Sequence, residues 1–114
     1  MNEQELTPMI IDLGMARKGE ITEGQQDQLE AGIKMIMKMM LGASQMGIRF
    51  RPITLRGTRN ELSKFAKALG REKRYIQAYN KFGLDDPRTY KSKFRLNKAI
   101  RDFRRATGLR WPFK

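Results

Sequence analysis

Helix starts are written into this chain at four places, and they fix most of what it can fold into. Thr22 stands three residues before Gln25 in "TEGQ", and Thr58 three before Glu61 in "TRNE". In each, the Thr hydroxyl can accept the N3 amide while the N3 side chain reaches back to the cap's own N–H, a reciprocal capping box. Asp86 before Pro87 and Thr7 before Pro8 pair a capping side chain with a proline at the first helical position, where its missing N–H costs nothing. Gly19, Gly83 and Gly108 sit where helices need to stop.

Apolar spacing between these marks predicts the elements. A first helix over "LTPMIIDLGMARKG" would bury Leu6, Met9, Ile10, Leu13 and Ala16. A second runs from Thr22 toward Met46 and is apolar on more than one side, with Leu29, Ile33, Ile36 and Met40 on one stripe and Met35, Met39 and Met46 on another. Such a helix is buried on several sides, in the core or against another chain. "GIRFRPITLRGT" then alternates Ile48 and Phe50, and Ile53 and Leu55, with polar residues, the period of extended chain. From Thr58, Leu62, Phe65, Ala66, Leu69 and Ile76 mark a helical stripe that Gly70 either kinks or divides. The last helix spans Pro87 to about Thr107 and buries Leu96, Ala99, Ile100, Phe103 and Ala106.

"GLDDP" and "GLRWP" repeat one stop pattern, with Leu84 and Leu109 placed to pack back on the helix just ended. The expected fold is mainly α: a single-domain bundle of four or five helices with a short extended connector near residues 48–56. Along the 114 residues, 1–47 form an acidic then Met-rich helical part, 48–57 the connector, and 58–114 a basic helical hairpin with an aromatic tail.

The chain has no Cys and no His. That removes disulfides, most zinc sites, thiolate chemistry and His-activated nucleophiles. Neither a catalytic residue nor a metal or cofactor site is expected. A magnesium-dependent nuclease, the enzyme reading that survives, would need two acids of the basic half to converge, and Glu72 and Asp102 are the ones without a capping role. The start "MNEQELTP" lacks the charge and apolar run of a secretory signal, and "GIKMIMKMMLGASQMG" carries Lys34 and Lys38 and falls short of the roughly 20 residues of a membrane span. The expectation is an intracellular protein of cytoplasm or nucleoid, or one inside a viral particle, with no membrane partner.

Charge is divided along the chain. Residues 1–30 hold seven acids against two bases, −5, which leaves +17 for residues 31–114 of a net +12. A field concentrated on one part of a surface steers a polyanion better than scattered charge does. On the last helix Lys91, Arg95, Lys98, Arg101 and Arg105 lie away from the apolar stripe, and Tyr90 and Phe94 fall among them. Aromatics interleaved with cations suit stacking on unpaired bases beside phosphates, or else both rings pack on the preceding helix or a partner. Arg71 and Arg74 extend the basic face onto that preceding helix. In the tail, Arg110 and Trp111 are either a further nucleic-acid contact, a partner anchor, or a lid on the domain's own core.

The leading expectation is a non-enzymatic DNA- or RNA-binding protein that contacts phosphates through two basic helices, largely without sequence preference. The alternative is a structural subunit of a viral particle, a homo-oligomer or another large assembly, joined through the Met-rich helix and the aromatic tail, with its basic face toward a genome or an acidic neighbour. The acidic first third could also fold over the basic surface and mask it.

Overall fold

The computed structural model describes residues 9–42 and 52–113. In order, the elements are β1 (Met9–Asp12), α1 (Glu23–Met40), β2 (Ile53–Arg56), α2 (Arg59–Phe82) and α3 (Pro87–Thr107). The described chain is mainly helical, as expected, but has three helices and a two-stranded parallel sheet where four or five helices and a connector were predicted.

The segment read as a first helix is where the prediction fails. Met9–Asp12 is a strand, its residues Met9 to Asp12 registered on Ile53 to Arg56 of β2. Ile10 and Ile11 are β-branched and favour extended backbone. Burial alternates, Ile11 and Leu13 inside and Ile10 outside, which is the strand period and not the helical one. The ladder extends past both ends, with Met9 N–H donating to the Pro52 carbonyl and Leu13 N–H to that of Arg56, each at 2.7 Å. Asp12 Oδ1 then accepts the Gly14 N–H at 2.9 Å, an Asx turn that stops the strand and starts the compact turn to Gly19. Leu6, Thr7 and Pro8 lie outside the described residues.

Parallel strands need a crossover, and α1 supplies it. It packs on β1 at Gly32, where a Cβ would stand 3.0 Å from Ile11 Cδ1, a tight approach that favours glycine. The Thr22–Gln25 capping box forms in full. The helix ends at Met40, short of the predicted Met46, with Leu41 as cap. Residues 43–51, including Met46, Ile48 and Phe50, lie outside the described residues. Leu29, Ile33 and Met37 face the core, Met35, Ile36 and Met40 are half-buried, and Met39 is exposed.

The second capping box, Thr58–Glu61, opens α2, which runs unbroken through Gly70 to Phe82. Glu61 is buried and does two things at once: Oε1 accepts the Thr58 N–H at 2.8 Å, and both carboxylate oxygens accept from Arg17 at 3.3 Å. Burial pushes its pKa up, but the Arg17 and Thr58 hydrogen bonds more than offset this and hold the carboxyl below the usual range. The turn at the amino end of the chain is thereby tied to the start of α2.

A short loop, 83–86, returns the chain along α2 as α3, the most extensive packing among the described elements. Thr89, buried, donates to the Gly83 carbonyl at 2.7 Å and closes the loop. Asp86 caps α3 with Pro87 in the first turn, as predicted. The two G-L-x-x-P stops differ: Gly108 takes the left-handed cap (φ 72°, ψ 10°) and Leu109 is buried behind it, whereas Gly83 is more extended (φ 83°, ψ 170°) and Leu84 is exposed. The inner faces of α2 and α3 meet at Phe65 and Phe103, whose ring centroids are 6.1 Å apart. Trp111 completes this cluster edge-on, 5.2 Å from Phe103 and 6.3 Å from Phe65.

Candidate nucleic-acid interface

With their apolar stripes turned to one core, α2 and α3 turn two basic stripes to the same side. On α2, Lys64, Lys67, Arg71 and Arg74 follow at helical steps of three and four. On α3, Lys91, Arg95 and Lys98 do the same, and Arg105 follows two turns after Lys98, past Asp102. Because the helices pack side by side, the stripes border a common groove. Its main part, about 360 Å³, is lined by Lys67 and Arg71 from α2 and by Lys91, Phe94, Arg95 and Lys98 from α3, with Ala99 and Asp102 at the α3 side. A shallower depression continues over Gly70 between Lys67, Arg71 and Arg74, and another lies beside Lys64 and Arg105. Among the described residues, the ion pairs leave all eight of these cations without a carboxylate partner.

Phe94 stands on the groove rim, 70% exposed, and Tyr90, one turn earlier on α3, is 58% exposed. Neither ring is buried against α2, the first of the two alternatives for them. Arg101 is exposed on the outer side of α3 and lines none of the three depressions. Of the residues expected at the interface, Arg71, Arg74, Lys91, Phe94, Arg95 and Lys98 are thus brought together, Arg105 extends the line, and Tyr90 and Arg101 flank it.

Arg110 and Trp111 are not brought to it. Trp111 is buried, 4% exposed, and its Nε1–H donates to Glu72 Oε1 at 2.9 Å. It is packed among Phe65, Phe103 and Phe113, so in this fold it offers no stacking surface. Of the three readings of the tail, the lid on the domain's own core is the arrangement observed. Arg110 turns to α1, where Nη2 meets Glu23 at 2.8 Å and Glu30 at 3.2 Å, and these hydrogen bonds raise its pKa. The acidic helix therefore engages the tail, and among the described residues none of its ion pairs reaches the groove.

The two acids of the nuclease reading also part company. Glu72 is in the core beneath Trp111, where burial raises its pKa against the opposing pull of the indole N–H. Asp102 is half-buried at the groove, the one carboxylate among the residues lining it. Among the described residues no three acids come together to hold a metal ion, and no helix is long and apolar enough to cross a membrane.

Lys64, Lys67 and Gly70 belong to the groove and were not among the expected site residues, and Asp102, weighed only as a nuclease acid, belongs to it too. The signal for the two lysines was present, since Arg71 minus four and minus seven fall on the same helical stripe. No family model, curated protein or solved structure matches the chain.

Proposed function

We propose that this protein binds nucleic acid in the groove between α2 and α3, through phosphate contacts that carry little sequence information. The observation that supports this reading is the groove itself: cations of two helices face one another across it. Like charges held side by side cost stability, and a polyanion laid between them removes that cost. Along α2 the cations from Lys67 to Arg74, and along α3 those from Lys91 to Lys98, each span about 10 Å at 1.5 Å per residue, room for about two phosphates in succession. The arrangement has basic side chains for the backbone and no residue committed to reading base edges.

The test is fluorescence anisotropy of labelled DNA and RNA oligonucleotides over a salt series, comparing the wild type with an Arg71→Ala/Arg95→Ala/Lys98→Ala variant and with Arg110→Ala. Removing groove cations should weaken binding strongly and shallow the salt slope by about 0.7–0.9 for each phosphate no longer neutralised. Arg110→Ala should leave the slope as it is. Absence of binding near physiological salt would contradict the proposal and favour the assembly reading, for which exposed Ile10, Met39, Leu41 and Leu55 offer apolar surface.

A further inference from the structure

We infer that the groove takes a single strand in preference to a duplex, its phosphates on the α2 wall and its unpaired bases on the α3 rim. This rests on the nucleic-acid reading of the groove. The two walls differ chemically. Around Gly70, Lys67, Arg71 and Arg74 border a depression of about 210 Å³ floored by bare helix backbone. It has three cations and no aromatic ring, the composition of a phosphate subsite. Gly70 is not there for packing, because a Cβ built on it meets nothing within 4 Å.

On the opposite wall Phe94 stands exposed on the rim with Lys91 and Arg95 beside it, and Tyr90 is exposed one turn earlier on α3, just outside the lining. Exposed rings of this size are costly in water unless they have a use, and here the neighbouring cations would draw a phosphate chain past them. A duplex can use these rings only by unstacking a base step, which costs free energy. Its base faces are covered by their neighbours, and it offers only edges, in grooves about 12 Å and 6 Å wide. An unpaired base has a free face, and stacking on an aromatic ring is indifferent to which base it is.

At about 360 Å³ the main groove is near the lower end of the roughly 300–1,000 Å³ of small-ligand sites, a space for a nucleotide or so. Asp102 marks where the phosphate chain does not run: a carboxylate at that end of the groove repels it and leaves the path toward Arg71 and Arg74. Asp102 can accept a hydrogen bond from a base amino group instead.

The experiment measures anisotropy of a labelled oligothymidine of about 15 nucleotides, and of the same length as an adenine–thymine duplex, against the wild type, Tyr90→Ala/Phe94→Ala and Phe94→Trp. Both rings are exposed, so the variants should fold, and unchanged Trp111 emission in the double Ala variant checks this. The inference expects tighter wild-type binding to the single strand, a loss of about tenfold or more in the double Ala variant on the single strand, about twofold or less on the duplex, and full affinity in Phe94→Trp. Equal, salt-sensitive binding of both forms that the double Ala variant leaves unchanged would overturn the single-strand inference while the electrostatic reading stood. Binding of neither form by the wild type would overturn both.

Discussion

Two arginine–aromatic neighbours, Phe94–Arg95 and Arg110–Trp111, look alike in the sequence and have opposite fates in the fold. Phe94 is open to solvent on the rim of a cationic groove, and Arg95 lines the same groove. Trp111 is sealed between Phe65 and Phe103 with its indole N–H on Glu72, and Arg110 is held by the carboxylates of α1. Composition does not separate the pairs; what separates them is whether the fold has already used their interactions. The tail pair holds the carboxyl end to the core and to α1, which leaves the α3 pair to meet a partner.

The sharpest way to break this contrast is to truncate each ring. Trp111→Ala should cost about 3–5 kcal/mol by emptying its place between Phe65 and Phe103, whereas Phe94→Ala should stay within about 0.5 kcal/mol. Urea unfolding curves measure both, and comparable losses would show that the two rings are not used differently.

Glu72→Gln gives a second, smaller test. Burial raises the Glu72 pKa, so the stability tied to its neutral form is fully present below the usual glutamate range of about 4.3 and is lost as pH rises through the raised folded value. Gln keeps an acceptor for Trp111 Nε1 without the buried charge. The variant should therefore melt higher than the wild type at pH 7, with the gap closing as pH falls toward about 4. Asp12, Glu61 and Asp86, whose folded pKa values are lowered, lose their contributions on acidification in both proteins and cancel in the difference.

The smallest effect sharpens the groove side. Gly70→Ala should stabilise α2 by about 0.5–1 kcal/mol, since the added methyl meets nothing. If the bare backbone beside Arg71 and Arg74 admits a phosphate, the same change should weaken oligonucleotide binding a few-fold. A variant that is both more stable and an equal binder would leave Gly70 without a role in the groove.

What could be read from the sequence was local. Capping boxes and Asp86–Pro87 placed three helix starts because the signal is confined to four residues and owes nothing to the rest of the fold. The α3 stripe was legible for the same reason, as an apolar period of 3.6 with cations opposite. β1 was not, since Ile10, Ile11 and Leu13 fit a helix or a strand over so short a run, and the choice was made by β2, some forty residues away in sequence. Trp111 was illegible in the same way: only the meeting of Phe65, Phe103 and Glu72 decides that the tail folds inward. Lys67 was legible on the α2 stripe of Arg71, but that this stripe borders the α3 stripe across one groove is a relation between helices that no single helix contains.

The most direct measurement is backbone and indole chemical-shift mapping of the labelled protein titrated with a short single-stranded oligonucleotide, for which the one Trp is a built-in control. Shifts concentrated at residues 64–74 of α2 and 90–105 of α3, with the Trp111 indole N–H and the α1 amides unmoved, are the predicted result. Movement of the Trp111 indole and of Glu23 to Glu30 with a silent groove would contradict the account, and would mean that the tail, not the cleft between α2 and α3, meets the nucleic acid.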